Sequence, residues 1–359
     1  MQNNLQLYNT VLKQLSQWLP NERVTRRRNL ALLVTGIYLS ASVHLSFVVR
    51  TWPLLSKAPS LVNRLRRFLD NKHVSPQAFY EPLVQQLLLN LAGQQLQLVI
   101  DTTQVGFHYR ALVVGLCYRK RTLPLAWSLH QGTIGNTPVT AQVALLKYLH
   151  PLIPVGTEVC LIGDTAFRTG DLFLWLRAHG WHYVIRQRKE VTIRTAYTSW
   201  QPIAAIPLCP GETKLLGPLW MARTNLVGTT WLLLHWEKGE ERPWYLVTDI
   251  PCSATVLRFY RRRMWIEEMF GDMKKHGFDL ERTHLCHLDR IERLMLGVCI
   301  AYTWLIAMGS WVVKNGLRHL LDRKERRDKS YFRLGWDWVE RCLSLNQPIK
   351  LRFVPYFSK

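Results

Sequence analysis

The sequence predicts an α/β fold built on a mixed sheet, and three observations support this. Helical periodicity fills roughly the first 92 residues, apolar strands alternate with helices after residue 96, and two of those strands lead into an aspartate. Strands that alternate with helices are typical of an α/β sheet, and its functional site lies along one edge. We expect five parts: a helical region (1–92), a first core part (93–190), a β-rich insertion (191–242), a second core part (243–315) and a basic tail (316–359).

The first two helices are predicted from apolar spacing and from a run of cations. Leu5, Leu12 and Leu15 form one apolar face of the first helix, and the second helix begins near Arg26. A third helix is predicted over 60–69, because its apolar residues recur at helical spacing and Ser60 can serve as its N-cap. These segments predict a small helical bundle.

Two apolar segments of the core are predicted to be buried strands that end in a carboxylate. The first runs from Leu96 to Asp101, and the second runs from Thr157 to Asp164. Between them, the segments 111–118 and 123–129 flank a basic turn at 119–121, which is the pattern of a β-hairpin. The two aspartates are therefore expected at one edge of the sheet.

The second half of the core is predicted to contain two more strands and two helices. A helix over about 168–179 precedes a strand that ends at Arg186, and Trp244 begins the strand 244–248. A long helix is expected over about 254–275. The insertion before Trp244 is predicted to be β-rich because it combines short apolar runs with prolines and tryptophans.

The charge of the chain favours a polyanionic partner. The 359 residues contain 47 Lys and Arg against 25 Asp and Glu, which gives a formal net charge of +22. Such a field attracts DNA, and ribosomal RNA or an anionic lipid surface are the alternatives. The predicted helix over 60–69 carries Arg64, Arg66 and Arg67 on one face, and basic helices in small bundles often enter a DNA groove.

The uncharged segment 294–313 and the seven cysteines decide whether a membrane span or disulfide bonds are expected. Residues 294–313 contain no charged side chain, which satisfies the length criterion for a span. A helix buried on all sides looks the same, and the absence of a second span favours that interpretation. The seven cysteines are widely spaced without a CxxC pair, so reduced thiols in a cytoplasmic protein are expected.

Four polar residues of the predicted long helix lie on one stripe. At about 100° per residue, Tyr260, Arg263, Glu267 and Lys274 fall within about 60° of one another. Glu268 is turned away by about another 100° and is the weaker candidate for a ligand. We expect this stripe to face the edge of the sheet that carries the two aspartates.

Asp101, Asp164 and Glu267 are therefore candidates for a metal site. Converging carboxylates repel one another, and all-oxygen ligands suit two Mg²⁺ ions, or Mn²⁺. Arg263 and Lys274 fit as partners for phosphate oxygens. Two simpler interpretations remain open: each aspartate is a turn or cap residue, and Arg263 with Glu267 is an i,i+4 ion pair.

The spacing of these residues resembles a known motif. Tyr260, Arg263, Glu267 and Lys274 match the pattern Tyr-x2-Arg-x3-Glu-x6-Lys of the insertion-sequence-four family of bacterial Asp-Asp-Glu (DDE) transposases. The segments around the two aspartates, 98–103 and 162–167, resemble the first and second acid boxes of that family. One departure is that Met264 follows Arg263, where family members often have a tryptophan.

The resemblance implies a ribonuclease-H-like core and metal-dependent cleavage and transfer of DNA strands. It also implies a homodimer that acts on double-stranded DNA, with paired terminal inverted repeats and a target, in the cytoplasm at a bacterial nucleoid. Arg186 and Tyr260 are expected near DNA phosphate, and Trp244 is the candidate for stacking on a flipped base. A ribonuclease-H-like DNA nuclease and a catalytically inactive DNA-binding derivative are the alternatives.

Overall fold

The computed structural model describes residues 2–132, 137–221, 230–323 and 325–357. Residues 222–229 of the predicted insertion and residues 324, 358 and 359 of the predicted tail lie outside this description. The chain begins with five helices, as the periodicity predicts. They are α1 (Gln2–Trp18), α2 (Val24–Ser40), α3 (Leu45–Arg50), α4 (Ala58–Leu69) and α5 (Pro76–Leu89).

Two details of these helices differ from the prediction. The buried face of α1 contains Leu7, Val11 and Leu15, whereas Leu5 is largely exposed. Helix α4 begins at Ala58 with Lys57 at its N-cap position, so the predicted Ser60 cap is wrong. A proline at the second position of α4, where the missing backbone N–H costs nothing, accounts for the earlier start.

The first five strands of the sheet have the order β3-β2-β1-β4-β5. β1, β4 and β5 are parallel, and β2 and β3 are antiparallel to their neighbours. This order and these directions are those of a ribonuclease-H-like core. The elements are β1 (Leu96–Val105), β2 (Tyr109–Tyr118), β3 (Arg121–Gln131), α6 (Val139–Leu149), β4 (Val159–Gly163), α7 (Gly170–Ala178) and β5 (His182–Arg186).

The predicted β-rich insertion continues this sheet. The described strands form one sheet of ten in the order β3-β2-β1-β4-β5-β10-β9-β8-β6-β7, in which β10 of the second core part pairs antiparallel with β5. The four described strands of the insertion, β6 to β9, therefore lengthen the core sheet beyond β10. The strands are β6 (Thr192–Arg194), β7 (Gln201–Pro202), β8 (Thr213–Met221), β9 (Thr230–His235) and β10 (Trp244–Thr248).

The predicted helix over 254–275 is interrupted. Helix α8 (Ser253–Tyr260) and helix α9 (Met264–Met273) are separated by a turn of 3₁₀-helix over 261–263. Within this turn, Arg262 donates a hydrogen bond to Gln97 and Arg263 donates one to Asp101, both on β1. These contacts with the sheet hold the chain in the tighter turn, which the local sequence does not indicate.

The apolar segment near the C-terminus forms helix α10 (Leu288–Lys314), and it lies in the core of the protein. By length and composition α10 could cross a membrane, but 89% of its most apolar window is buried within the fold. Helices α2, α5 and α11 (Tyr331–Ser344) pack against it together with β3. The predicted basic tail thus contains a helix that is packed on α10. The glycines on α10 and α11 allow this close approach, since a Cβ at Gly309 would lie 1.8 Å from the carbonyl oxygen of Tyr331.

Candidate active site

Asp101 and Asp164 lie side by side on two parallel strands. β1 pairs with β4 as far as Ile100 opposite Gly163, so each aspartate comes directly after that last pair. β1 itself continues to Val105, which shows that the predicted strand end at Asp101 is wrong. β4 ends there and β1 continues, so the two aspartates follow equivalent positions on adjacent strands about 4.8 Å apart.

The carboxylate of Asp101 is buried and electrostatically strained. Burial raises its pKa to about 7, and the neighbouring Asp164 adds to the shift. The backbone N–H of Thr102 donates to Oδ1 at 2.7 Å, which opposes the shift without cancelling it. A carboxylate in this environment gains from a nearby cation.

Asp164 has a local role as well. Its Oδ1 accepts a hydrogen bond from the backbone N–H of Ala166 at 2.8 Å and so caps the 3₁₀ turn over 165–167. Asp164 is therefore a cap residue, as the simpler interpretation has it, but only its Oδ1 takes part in the cap. The cap also fixes the carboxylate at the sheet edge beside Asp101.

Glu267 reaches the same edge from the first turn of α9. Its Oε1 lies 2.5 Å from Nη2 of Arg263, and Nη1 of the same guanidinium lies 3.4 Å from Oδ2 of Asp101. The i,i+4 ion pair that the sequence allows is thus present, and it extends to a carboxylate on the sheet. Glu268 points elsewhere, since its Oε2 lies 3.0 Å from Nη1 of Arg121.

Tyr260, Trp244 and Arg186 form the wall of the site on the β5–β10 side. Tyr260 is buried, and its ring contacts Trp244 edge to face at a centroid distance of 5.0 Å. Burial raises the pKa of the Tyr260 hydroxyl, and Arg263 and Arg186 oppose this shift while Asp164 adds to it. Tyr260 therefore lies within electrostatic reach of Asp164, Arg263 and Arg186.

Lys274 lies apart from this group. It follows the last residue of α9 with a non-helical backbone, and its Nζ is 2.8 Å from Oε1 of Glu281. The predicted stripe is therefore broken at both ends, because Tyr260 ends α8 and Lys274 lies beyond α9. The acidic partner of Lys274 is therefore Glu281 and not one of the three candidate metal ligands.

One cation beside Asp164 was missed in the sequence. Arg168 donates from Nη1 to the carbonyl oxygen of Thr165 at 2.7 Å, and burial together with nearby Arg188 lowers its pKa, with Asp164 opposing. The only signal for it was its position directly after the segment 162–167. Arg168 adds a second guanidinium to a site that already contains Arg263.

The donor set of Asp101, Asp164 and Glu267 fits a hard divalent cation. All three are carboxylates, which suit a hard cation. The raised pKa of Asp101 means that its ionised form is disfavoured, so additional positive charge would stabilise it. In the described parts of the chain no three Asp, Glu, His or Cys side chains already surround one point as ligands of an ion. The Arg263 guanidinium bonds to both Asp101 and Glu267, so binding of an ion by this pair requires it to shift.

One comparison with known proteins, the match to a family model, agrees with this chemistry. The family model described as "Transposase DDE domain" matches residues 98–304, which is more than half of the chain and includes Asp101, Asp164 and Glu267. No curated protein sequence matches the chain. Among solved structures, the fold is similar to one described as "Cryo-EM structure of piggyBac transposase synaptic complex with hairpin DNA (SNHP)", with 10% identity and a TM-score of 0.48 over 98% of this chain and 83% of that chain.

Proposed function

Since this chain belongs to the DDE transposase family, enzymes that cleave DNA strands and transfer them, we propose that Asp101, Asp164 and Glu267 are its catalytic carboxylates. We further propose that they bind two Mg²⁺ ions, which Mn²⁺ can replace. The supporting observation is the buried Asp101 beside Asp164 on the neighbouring parallel strand, with its pKa raised to about 7. Bound divalent ions activate a water molecule or a 3′-hydroxyl and stabilise the leaving oxygen of a phosphodiester.

The protein's own residues prepare the site for this reaction. The backbone N–H groups of Thr102 and Ala166 each hold one aspartate oxygen, so Asp101 and Asp164 keep their orientation. Arg263 neutralises Asp101 and Glu267 until its guanidinium moves to phosphate oxygens of the substrate. Fixed ligands of this kind reduce the reorganisation that the reaction requires.

The wall of the site is proposed to position the DNA end. Arg186 and Tyr260 fit as phosphate partners, and Trp244 presents a half-buried ring at the start of β10 on which a flipped base can stack. The match of Tyr260, Arg263, Glu267 and Lys274 to the motif supports assignment to the insertion-sequence-four family. Lys274 is proposed to exchange Glu281 for a phosphate when DNA binds.

Residues 1–92 are proposed to recognise the terminal inverted repeats. Arg66 and Arg67 of α4 are exposed, while Arg64 donates to the side chain of Asn29 at 2.8 Å and contributes to the bundle. The other boundaries proposed from the sequence place the core at 93–190 and 243–315. We also propose action as a homodimer on paired ends, in the cytoplasm at the nucleoid, because the substrate is chromosomal DNA.

The test uses the purified full chain with duplexes taken from the DNA that flanks its gene and a supercoiled plasmid as target. With Mg²⁺ present, the expected products are cleaved repeat ends and, later, ends joined to the plasmid. Cleavage without joining identifies a ribonuclease-H-like nuclease. Binding of the repeat without cleavage in either Mg²⁺ or Mn²⁺ identifies an inactive derivative.

A further inference from the structure

A second basic surface of the protein is a cleft of about 820 Å³ between the β2–β3 turn, the start of α9 and the segment before α11. Seven cations line it against two carboxylates, Glu268 and Asp328. Arg121 is one of the seven, and the other six are Arg119, Lys120, Arg261, Arg318, Arg327 and Lys329.

The two carboxylates of the cleft are already neutralised. Glu268 pairs with Arg121 at 3.0 Å, and Asp328 pairs with Arg326 at 2.7 Å. Four of the lining cations pair with carboxylates outside the cleft, namely Arg121, Arg261, Arg318 and Lys329 with Asp272, Glu237, Asp322 and Asp337. Lys120 and Arg327, by contrast, make no ion pair with any residue that the structure describes. The surplus positive charge of the cleft therefore lies with Lys120 and Arg327, and a phosphate backbone is the polyanion that suits such a surface.

The β2–β3 turn holds its cations in an unfavourable backbone. Arg119 and Lys120 are the two central residues of the hairpin, with φ values of 45° and 63°. Both positions of such a two-residue turn favour Asn-Gly, since other side chains are strained at positive φ. The guanidinium of Arg119 lies over the rings of Tyr118 and Tyr331, which gives it a role in the fold. A turn that served the fold alone would be better formed with glycine at position 120, so Lys120 points to a role in binding.

The cleft and α4 lie at opposite ends of β1, with Asp101 between them. The β2–β3 turn lies at the Leu96 end, because β2 runs antiparallel to β1. At the Val105 end, Phe107 contacts His284, which shares a cavity with Arg66 of α4. The ten residues of β1 span about 30 Å.

We propose that this cleft binds the sugar–phosphate backbone of the target DNA duplex, while α4 holds the transposon end. Joining requires two DNA segments at the carboxylates, and the protein presents one basic surface on each side of Asp101. This inference rests on the proposed function, since only strand transfer requires a target. Arg261 and Met264, which line the cleft, flank Arg262 and Arg263 and connect the cleft to the active site.

The test is the double variant Arg119→Asn with Lys120→Gly, which removes two cations and installs the preferred turn residues. Binding and single-turnover cleavage of the repeat end should match the wild type. Joining at low target concentration should fall roughly ten-fold or more, as expected for lost charge-assisted contacts, and should recover as target concentration rises.

A matched control is Lys147→Ala with Lys238→Ala, which removes two exposed cations outside both the cleft and residues 1–92 and should leave joining unchanged. A second test variant, Lys120→Gln with Arg327→Gln, leaves the turn backbone close to native and should show the same loss. Joining at wild-type efficiency by both test variants would overturn the proposal. Equal loss of end binding and cleavage would assign the cleft to the transposon end instead. If the wild type cleaves but never joins, the proposed function fails, and the cleft proposal fails with it.

Discussion

The guanidinium of Arg263 lies between Asp101 and Glu267, 3.4 Å from the carboxylate of the first and 2.5 Å from that of the second. These two acids come from different elements, one from the middle of β1 and the other from α9. Arg263 thus supplies, in the absence of an ion, the positive charge that two converging carboxylates require. Three of the predictions below follow from this arrangement.

Mg²⁺ should stabilise the protein through Asp101. A ligand that binds only the folded state at 100 times its Kd adds about 2.7 kcal/mol, so the melting temperature of the wild type should rise with Mg²⁺. Asp101→Asn should abolish most of the rise, whereas Glu268→Gln should preserve it because Glu268 pairs with Arg121. Thermal melts in chelator and in Mg²⁺ check this, and equal shifts in all three proteins would argue against a site at Asp101.

Arg263→Ala should reduce both cleavage and metal-free stability. Loss of a charge-assisted phosphate contact worth about 1.5–3 kcal/mol should slow single-turnover cleavage about ten-fold or more. In chelator the variant should also melt below the wild type, since Asp101 and Glu267 lose their cation. Mg²⁺ should reduce this difference in melting temperature between the variant and the wild type. If the variant cleaves as fast as the wild type per folded molecule, Arg263 acts only as the ion-pair partner of Asp101 and Glu267.

Lys274→Ala and Glu281→Gln separate two roles of one ion pair. The side chains of Lys274 and Glu281 are 17% and 36% exposed, so their 2.8 Å contact should contribute no more than about 1 kcal/mol. We expect both variants to lose the same small amount of stability and only Lys274→Ala to lose cleavage, because the lysine is proposed to transfer to phosphate. If Lys274→Ala cleaves as fast as Glu281→Gln, the lysine has a structural role alone.

Arg66→Ala with Arg67→Ala should weaken binding of the terminal repeat and flatten its salt dependence. Each lost phosphate contact reduces the slope of log K against log salt by about 0.9. The full chain is required, because α10 packs against α2, α4 and α5 and a fragment of residues 1–92 would expose that apolar face. Lys147→Ala with Lys238→Ala, at two exposed lysines outside residues 1–92, is the charge-matched control. An unchanged affinity for the repeat would remove α4 from the interface.

The site was predictable where a short apolar run leads into an acid. Buried strands before Asp101 and Asp164 are indicated by residues 96–100 and 159–163, and parallel pairing then brings the acids together. The end of β1 was predicted wrongly, since residues 102–105 continue the antiparallel pairing with β2 beyond the point where β4 ends. A local sequence pattern indicates where such a strand begins more clearly than where its pairing with a neighbouring strand ends.

Long-range contacts account for most of what sequence reasoning missed. The break between α8 and α9 contains three arginines and no glycine or proline, and it follows from contacts of Arg262 and Arg263 with β1. Helix α6 was not predicted because its apolar run, from Val139 to Leu149, suits a strand equally well. The partner of Lys274 was equally hidden, because Glu281 is brought near by the non-helical turn after α9.

The most direct test of the central claim is single-turnover cleavage of a gene-flanking repeat duplex in Mg²⁺ by three variants. These are Asp101→Asn, Asp164→Asn and Glu267→Gln, with Glu268→Gln as the neighbouring control. Each of the three should bind the duplex like the wild type yet cleave it slower by orders of magnitude, because all three carboxylates must hold the metal ions. Glu268→Gln should cleave normally. Cleavage at a near wild-type rate by any of the three would contradict the assignment of that residue and, with it, the proposed site.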